Sequence, residues 1–349
     1  MTRMELFDLT IVGGGPAGLY SAFYSGLRQM KTKIIEAQPE LGGKIHVYPE
    51  KLIWDVGGLG PVTGANLIQQ LQKQALTFNP EVVLNEKIVS ISRTAEGWFV
   101  LKAASGASHY SKSIITAIGS GILKPQKLKL EGADKFEVSN LHYTVNSLQK
   151  FKDKTVLISG GGNSAVDWAN LLEPVARKLY LVHRRDSFTG HESQVSQLMN
   201  SSVECVLNCS ITKLIAGKNK QSIERVELTH LIDGTSMCIA VDDVLINHGF
   251  DQDASLLQNS DLEVQLIDDF FIKGSSTSET SVPGLFAAGD ILKYDGKLNL
   301  IAGAFQDAAN AVNKAKQFVE PAAASAAMVS SHNDAFKQKN KDLIMQMVK

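Results

Sequence analysis

Gly13, Gly15 and Gly18 form a G-x-G-x-x-G pattern between a short β-prone run, residues 8–12, and a run with helical apolar spacing, residues 19–27. In that context each glycine has a physical task. Gly13 allows a tight turn, Gly15 lets backbone approach a pyrophosphate, and Gly18 lets helix and strand pack closely. The helix N-terminus then offers free N–H groups and a partial positive charge to phosphate. Glu36 ends the next β-prone run, 18 positions after Gly18. A carboxylate there can accept hydrogen bonds from both hydroxyls of an adenosine ribose. The plain alternative is a glycine-rich turn without a ligand; the strand before it, the helix after it and the acid beyond argue against that.

The pattern returns in mid-chain with different chemistry. Residues 155–159 read as a strand, Gly160, Gly162 and Ala165 make G-x-G-x-x-A, and residues 163–172 should be helical, starting at Asn163 and Ser164. The next strand, residues 178–182, leads to His183, Arg184 and Arg185. His183 stands 18 positions after Ala165, as Glu36 does after Gly18. A carboxylate there would repel a 2′-phosphate, whereas guanidiniums can pair with it bidentately. The second loop is therefore expected to take NADPH, and the first a dinucleotide with a free 2′-hydroxyl, FAD. Arg184 and Arg185 as solvated surface charges are the alternative.

These elements imply an α/β fold with two Rossmann-like dinucleotide-binding domains, and 349 residues suffice for two domains. The hydrophobic content of 44% fits globular cores rather than a disordered chain. Lys plus Arg (35) balances Asp plus Glu (36), so no charge field points to nucleic acid. The N-terminal residues show no long apolar stretch of the kind a leader or membrane anchor needs. Cys205, Cys209 and Cys238 make no C-x-x-C pair and read as free thiols. No disulfide framework is visible, which points to the cytoplasm. No residue cluster has metal-ligand spacing, and no metal is expected.

A third motif carries a family resemblance. Thr280-Ser281-Val282-Pro283-Gly284-Leu285-Phe286-Ala287-Ala288-Gly289-Asp290 resembles the second FAD motif of the thioredoxin-reductase group of flavoproteins, whose aspartate bonds the ribityl chain. Ser113-Ile114-Ile115-Thr116-Ala117-Ile118-Gly119 resembles the group's crossover strand. The region before the second glycine loop, Asn140-Leu141-His142-Tyr143-Thr144-Val145-Asn146, lacks the C-x-x-C of thioredoxin reductases. Leu41-Gly42-Gly43-Lys44, Tyr48-Pro49-Glu50-Lys51, Asp55-Val56-Gly57-Gly58 and His183-Arg184-Arg185-Asp186 look instead like ferredoxin–NADP⁺ reductases of thioredoxin-reductase type.

The resemblance implies a discontinuous FAD domain, residues 1–119 and 251–349, with the NADPH domain, residues 120–250, inserted. It implies FAD contacts at Glu36, Lys44, Tyr48, Ile88, Leu123, Asp290 and Ser331, with Tyr48 stacked on the ring. A capping tail, about residues 320–349, would cover the other ring face through Val329, His332 or Phe336. Residues 334–349 are expected to form a docked amphipathic helix, with Phe336, Leu343 and Met347 on its packed side. The helix starting near Leu300 could aim its N-terminus at the ring. Implied partners are ferredoxin or flavodoxin, both acidic, for which Lys124, Lys127 and Lys129 form a candidate patch. A homodimer is implied as well. The implied activity is electron transfer between NADPH and ferredoxin, with the flavin carrying the chemistry and no catalytic acid or base from the chain. A reductase of quinones, free flavin or small disulfides is the alternative, and a non-enzymatic NADP(H) sensor a more distant one.

Overall fold

The computed structural model describes residues 5–121, 124–328 and 332–348. The chain divides into two compact units. The first comprises Met1–His46, Lys51–Ile122 and Gln252–Lys349, and the second Val47–Glu50 and Leu123–Asp251. The principal elements, in chain order, are β1 (Leu6–Val12), α1 (Pro16–Leu27), β2 (Thr32–Ile35), β3 (Ser108–Thr116), β4 (Thr155–Ser159), α2 (Asn163–Leu172), β5 (Lys178–Val182), β6 (Asp243–Ile246), β7 (Leu285–Ala287), α3 (Ile301–Val319) and α4 (Lys337–Met347).

The first unit is built on a seven-stranded sheet. Its order is Glu81–Val83, β2, β1, β3, Phe99–Ala103, Ile88–Arg93. β1 lies parallel to both β2 and β3, with Ile11 opposite Ile34 and Ile115. Its last four residues are all buried, and so are all four of β2. Strands covered on both faces are buried along their length, and here Leu9, Ile11, Val12, Ile34 and Ile35 supply the apolar part while Thr10, Thr32 and Lys33 are buried polar residues. β3 serves two neighbours on its outer edge. Phe99–Ala103 pairs antiparallel with its first half, and β7 pairs in parallel with residues 114–116. That register sets the end of β7 level with the end of β1 across β3, where the first glycine loop begins. α1 opens with proline at its first turn and buries mostly small residues, among them Ala17, Gly18, Ser21 and Ala22. Small side chains let the helix lie close to the sheet.

The second unit holds a five-stranded parallel sheet in the order Leu141–His142, β6, β4, β5, Glu204–Val206. β4 shows the period-two alternation of a strand with two covered faces. Val156 and Ile158 pack with Val166, Ala169 and Leu172 of α2. Leu157 faces the other way, onto Val226 and Leu228 of a three-stranded antiparallel sheet. β4, α2 and β5 coincide with the elements expected from the sequence.

The tail differs from expectation. α4 buries none of its residues, with Leu343 56% and Met347 86% exposed. Leu343, Ile344 and Met345 are consecutive, so the apolar positions spread around the helix and make no single stripe. The turn before α4 is what docks. Phe336 stands 5.3 Å from the Phe78 ring and 6.2 Å from Phe23 on α1. The Asn333 amide donates to the Leu27 carbonyl at 3.3 Å. Among the described residues, no helix is long and apolar enough to cross a membrane.

Candidate functional site

The first glycine loop is closed by its own backbone. Gly13 has φ +108°, and a Cβ there would lie 2.4 Å from the Ala117 carbonyl oxygen. A Cβ on Gly18 would lie 1.9 Å from the Gly13 carbonyl oxygen, so any larger residue would push α1 off the loop. Gly15 differs: the nearest atom to a Cβ there is 3.7 Å away. Its face is open enough for another group to approach. No side chain caps the N-terminus of α1. Helix N-terminal N–H groups need partners, and a bound anion can supply them.

Glu36 sits under this loop, 8% exposed. Its Oε2 accepts from the Gly14 amide at 2.6 Å and its Oε1 from the Gln38 amide at 2.8 Å. A carboxylate has about four lone-pair positions, so two bonds orient it and leave acceptor capacity at both oxygens. The turn of Gly43–Val47, which carries exposed Lys44, folds against the same loop. The Gly42 amide donates to the Gly14 carbonyl at 2.8 Å, and a Cβ on Gly43 would stand 2.7 Å from Gly15 Cα. Gln72 and His46 both reach the Leu41 carbonyl, at 2.6 and 3.0 Å. Sequence reasoning missed these two supports of the turn.

The Gly289-Asp290 turn arrives from the other side of the chain. The Ala288 amide donates to the Thr116 carbonyl at 3.1 Å, which extends the β3–β7 pairing to the turn. Gly289 has φ +77°, and its Cβ would lie 3.0 Å from the Ala17 Cβ at the start of α1. The first unit therefore brings Gly13, Gly15, Glu36, Lys44 and the exposed Asp290 around the start of α1.

In the second unit Gly162 caps α2, again with no side-chain cap, and a Cβ there would meet nothing within 4 Å. Gly162, Asn163 and Ser164 are exposed at this helix start. The Asn163 side chain accepts from the His191 amide at 2.8 Å, and the Thr189 amide donates to the Gly161 carbonyl at 2.8 Å. Gly160 packs on Asn247 at the end of β6, 2.6 Å from a Cβ to the carbonyl oxygen. His183 lies over Gly161, where a Cβ would come within 2.2 Å of its ring. The ring stacks on Phe188 at 5.7 Å, and its Nε2 is buried without a hydrogen-bond partner. Burial first, then Arg185 and Arg184, push the His183 imidazole below its ordinary pKa. His248, 2.9 Å from the Ser159 hydroxyl, is pushed down by burial, Arg184 and His183. Both imidazoles are thus held below their ordinary range beside two guanidiniums. Arg184 and Arg185 are exposed, and no ion pair engages either among the described residues. Their charge is available to a ligand.

This contact yields a prediction. Gly161→Ala should displace the His183 ring and raise the KM for NADPH roughly tenfold, on the scale of a 1–3 kcal/mol overpacking cost. FAD content, read from visible absorbance, should not change. A parallel loss of FAD would show that the loop supports the whole chain rather than one ligand.

The remaining expected site residues fall as follows. Ile88 is a core side chain, 4% exposed, at the start of its strand. Tyr48 belongs to the second unit, half-buried against the core around Val145 and Phe151, and Glu50 beside it accepts from the Leu148 amide at 2.5 Å. Phe336 spends its ring on Phe23 and Phe78. Lys127 is 2.5 Å from Glu137, which removes it from a free lysine patch, while Lys124 and Lys129 are exposed. Leu123, Val329 and Ser331 lie outside the described residues. Among the cysteines Cys209 is buried, Cys205 half-buried and Cys238 exposed, all as free thiols. Burial raises the thiol pKa of Cys205 and Cys209, which opposes a reactive thiolate at either.

Two glycine loops on parallel sheets, each opening an uncapped helix, fit two dinucleotides, and the open faces of Gly15 and Gly162 leave room for their phosphates. Residues 7–315 match the family described as pyridine nucleotide-disulphide oxidoreductase, and the chain belongs to that family of oxidoreductases. It is 65% identical over 349 residues to a Bacillus mycoides protein named ferredoxin–NADP reductase 1, covering 100% of both chains. It is 63% identical over 348 residues to ferredoxin–NADP reductase 2 of Exiguobacterium sibiricum, covering 100% of this chain and 99% of the relative. Among solved structures, Lactococcus lactis thioredoxin reductase shares the fold, with a TM-score of 0.75, 23% identity, and coverage of 90% of this chain and 99% of that one.

Proposed function

We propose that this protein is a ferredoxin–NADP⁺ reductase, with FAD at the first glycine loop and NADPH at the second. The observation that carries the reading is the contrast between the two loops: a buried carboxylate beside the first, two exposed guanidiniums beside the second. The curated relatives' names and full-length similarity support the acceptor. Bound FAD supplies the chemistry, taking two electrons from NADPH and returning them singly to an iron–sulfur carrier. The chain's residues bind and orient. Glu36 holds the adenosine ribose, the α1 N-terminus the pyrophosphate, and Asp290 the ribityl chain. Lys44, Tyr48, Ile88, Leu123 and Ser331 are the further FAD contacts that the resemblance implies. Gly160, Gly162, Asn163 and Ser164 hold the NADPH pyrophosphate, and His183, Arg184 and Arg185 its 2′-phosphate end. The α3 N-terminus, which no side chain caps, would offer its partial positive charge to the flavin ring and favour the reduced form. Flavodoxin as a second carrier, a homodimer and a cytoplasmic location belong to the same reading.

The test is steady-state NADPH oxidation with ferredoxin, with a small uncharged quinone and with no added acceptor. Ferredoxin should give the highest kcat/KM. Added salt should slow ferredoxin reduction more than quinone reduction, because screening acts on the encounter of two charged proteins. Turnover with the quinone alone would instead identify a quinone reductase. An identical salt response with both acceptors would remove the case for a docked acidic carrier.

A further inference from the structure

Asp307 is a buried charge on an apolar stripe. The face that α3 buries consists of Gly303, Ala304, Asp307, Ala308, Ala311, Val312 and Ala315, so the acid interrupts a run of small apolar side chains. Its side chain has no exposed surface, and both oxygens are engaged. Oδ1 accepts from the Tyr294 hydroxyl at 2.8 Å, and Oδ2 accepts from the Gly289 amide at 3.1 Å. Oδ2 also takes the ammonium of Lys297, itself only 4% exposed. The Lys297 ammonium lies 5.3 Å above the Tyr294 ring. Burial, then the Asp307 carboxylate, push the Tyr294 hydroxyl up to about 12, so it remains a donor. The Asp307 carbonyl accepts from the Ser278 hydroxyl at 2.9 Å.

A buried ion pair is weak evidence for stability, since a well-packed apolar pair of similar volume often does as well. The account lies in what the pair holds. Among the described residues, its one backbone contact through the carboxylate is the Gly289 amide, in a turn of positive φ wedged against Ala17 and followed at once by exposed Asp290. We infer that Asp307, paired with Lys297 and Tyr294, is a positioning residue that fixes the Gly289-Asp290 turn and so presents the Asp290 carboxylate to the flavin cofactor. This inference rests on the reading of Asp290 as a flavin contact.

A double-mutant cycle on the full-length protein tests it. FAD dissociation constants would be measured by flavin fluorescence after removal and return of the cofactor, for Asp290→Ala, Asp307→Asn and the double variant. Residues acting through one another are non-additive. Each single change should raise the FAD Kd about tenfold, and Asp307→Asn should add less than about twofold once Asp290 is alanine. The visible circular dichroism of the bound flavin should change in Asp307→Asn while the far-ultraviolet spectrum does not. If Asp307→Asn does not fold, Tyr294→Phe enters the same cycle, because it keeps the ion pair and removes one bond. An equal factor in both backgrounds, or no effect on FAD in the folded variant, overturns the inference. An unchanged FAD Kd in Asp290→Ala would overturn it too, by removing the reading of Asp290 on which it stands.

Discussion

Replacing Arg184 and Arg185 together by neutral residues should lower kcat/KM for NADPH about a hundredfold and leave NADH within about threefold. Hydrogen bonds to charged groups contribute roughly 1.5–3 kcal/mol each, and about 1.4 kcal/mol is a factor of ten. Two exposed guanidiniums are discounted to the low end, about tenfold each. NADH carries a hydroxyl where NADPH carries the phosphate, so it has nothing for either arginine to hold. Salt gives a second arm. The wild-type KM for NADPH should rise with ionic strength, and that of the double variant should barely move. Equal losses for both coenzymes would mean that the arginines serve the fold. The depressed imidazoles beside them are consistent with a site waiting for an anion, since burial first and then the same guanidinium charge hold His183 and His248 down. Binding a 2′-phosphate should relax that repulsion and raise the His183 pKa, which ring proton shifts measured with and without NADP⁺ would follow.

Local patterns were legible and long-range ones were not. The two glycine loops, Glu36 and the His183-Arg184-Arg185 run can be read from spacing because each belongs to a strand–turn–helix whose geometry is set within about 30 residues. β4, α2 and β5 follow from periodicity alone. The approach of Gly43 to Gly15, and of Gly289 to Ala17, depends on which strands become neighbours. Only the family resemblance anticipated Asp290 beside the first loop. The tail failed for a different reason. Phe336, Leu343 and Met347 fit one helical face, but Ile344 and Met345 do not, and α4 buries nothing. The core that Tyr48 packs on was not legible either, because a tyrosine beside a proline carries no signal of its neighbours. Asp307 left a readable signal that went unread. An acid at i+3 from Ala304 and i−4 from Ala311 stands on the helix's apolar face, and a charge there needs a buried partner. Gln72 and His46 left none, for each is an ordinary polar residue whose target is a single backbone carbonyl.

Glu36→Arg should yield a protein that purifies without its yellow colour, with the FAD Kd raised more than about a hundredfold. The replaced side chain is nearly enclosed, and Leu41 reaches to 2.4 Å of where a Gly14 Cβ would stand, so a guanidinium has little room to turn away. Three losses coincide. The ribose loses two acceptors of charge-assisted strength, about 1.5–3 kcal/mol each. The Gly14 and Gln38 amides lose the oxygens they now donate to at 2.6 and 2.8 Å. A cation then faces two N–H groups, where a carboxylate was held by them. Glu36→Gln separates binding from folding. It keeps one carbonyl oxygen, which can still accept from Gly14, and turns an NH₂ group toward the Gln38 amide or the ribose. Its FAD Kd should rise about tenfold, the difference between one charged and one neutral acceptor on this scale. If Glu36 served only to pin the loop, both variants would melt earlier without FAD but bind it normally when folded. Comparison of apoprotein melting with FAD titration distinguishes the two. NADPH binding at the second loop, read from the coenzyme's own fluorescence, should stay near wild type in both. Full FAD occupancy in the folded Glu36→Arg protein would mean that the ribose is held elsewhere.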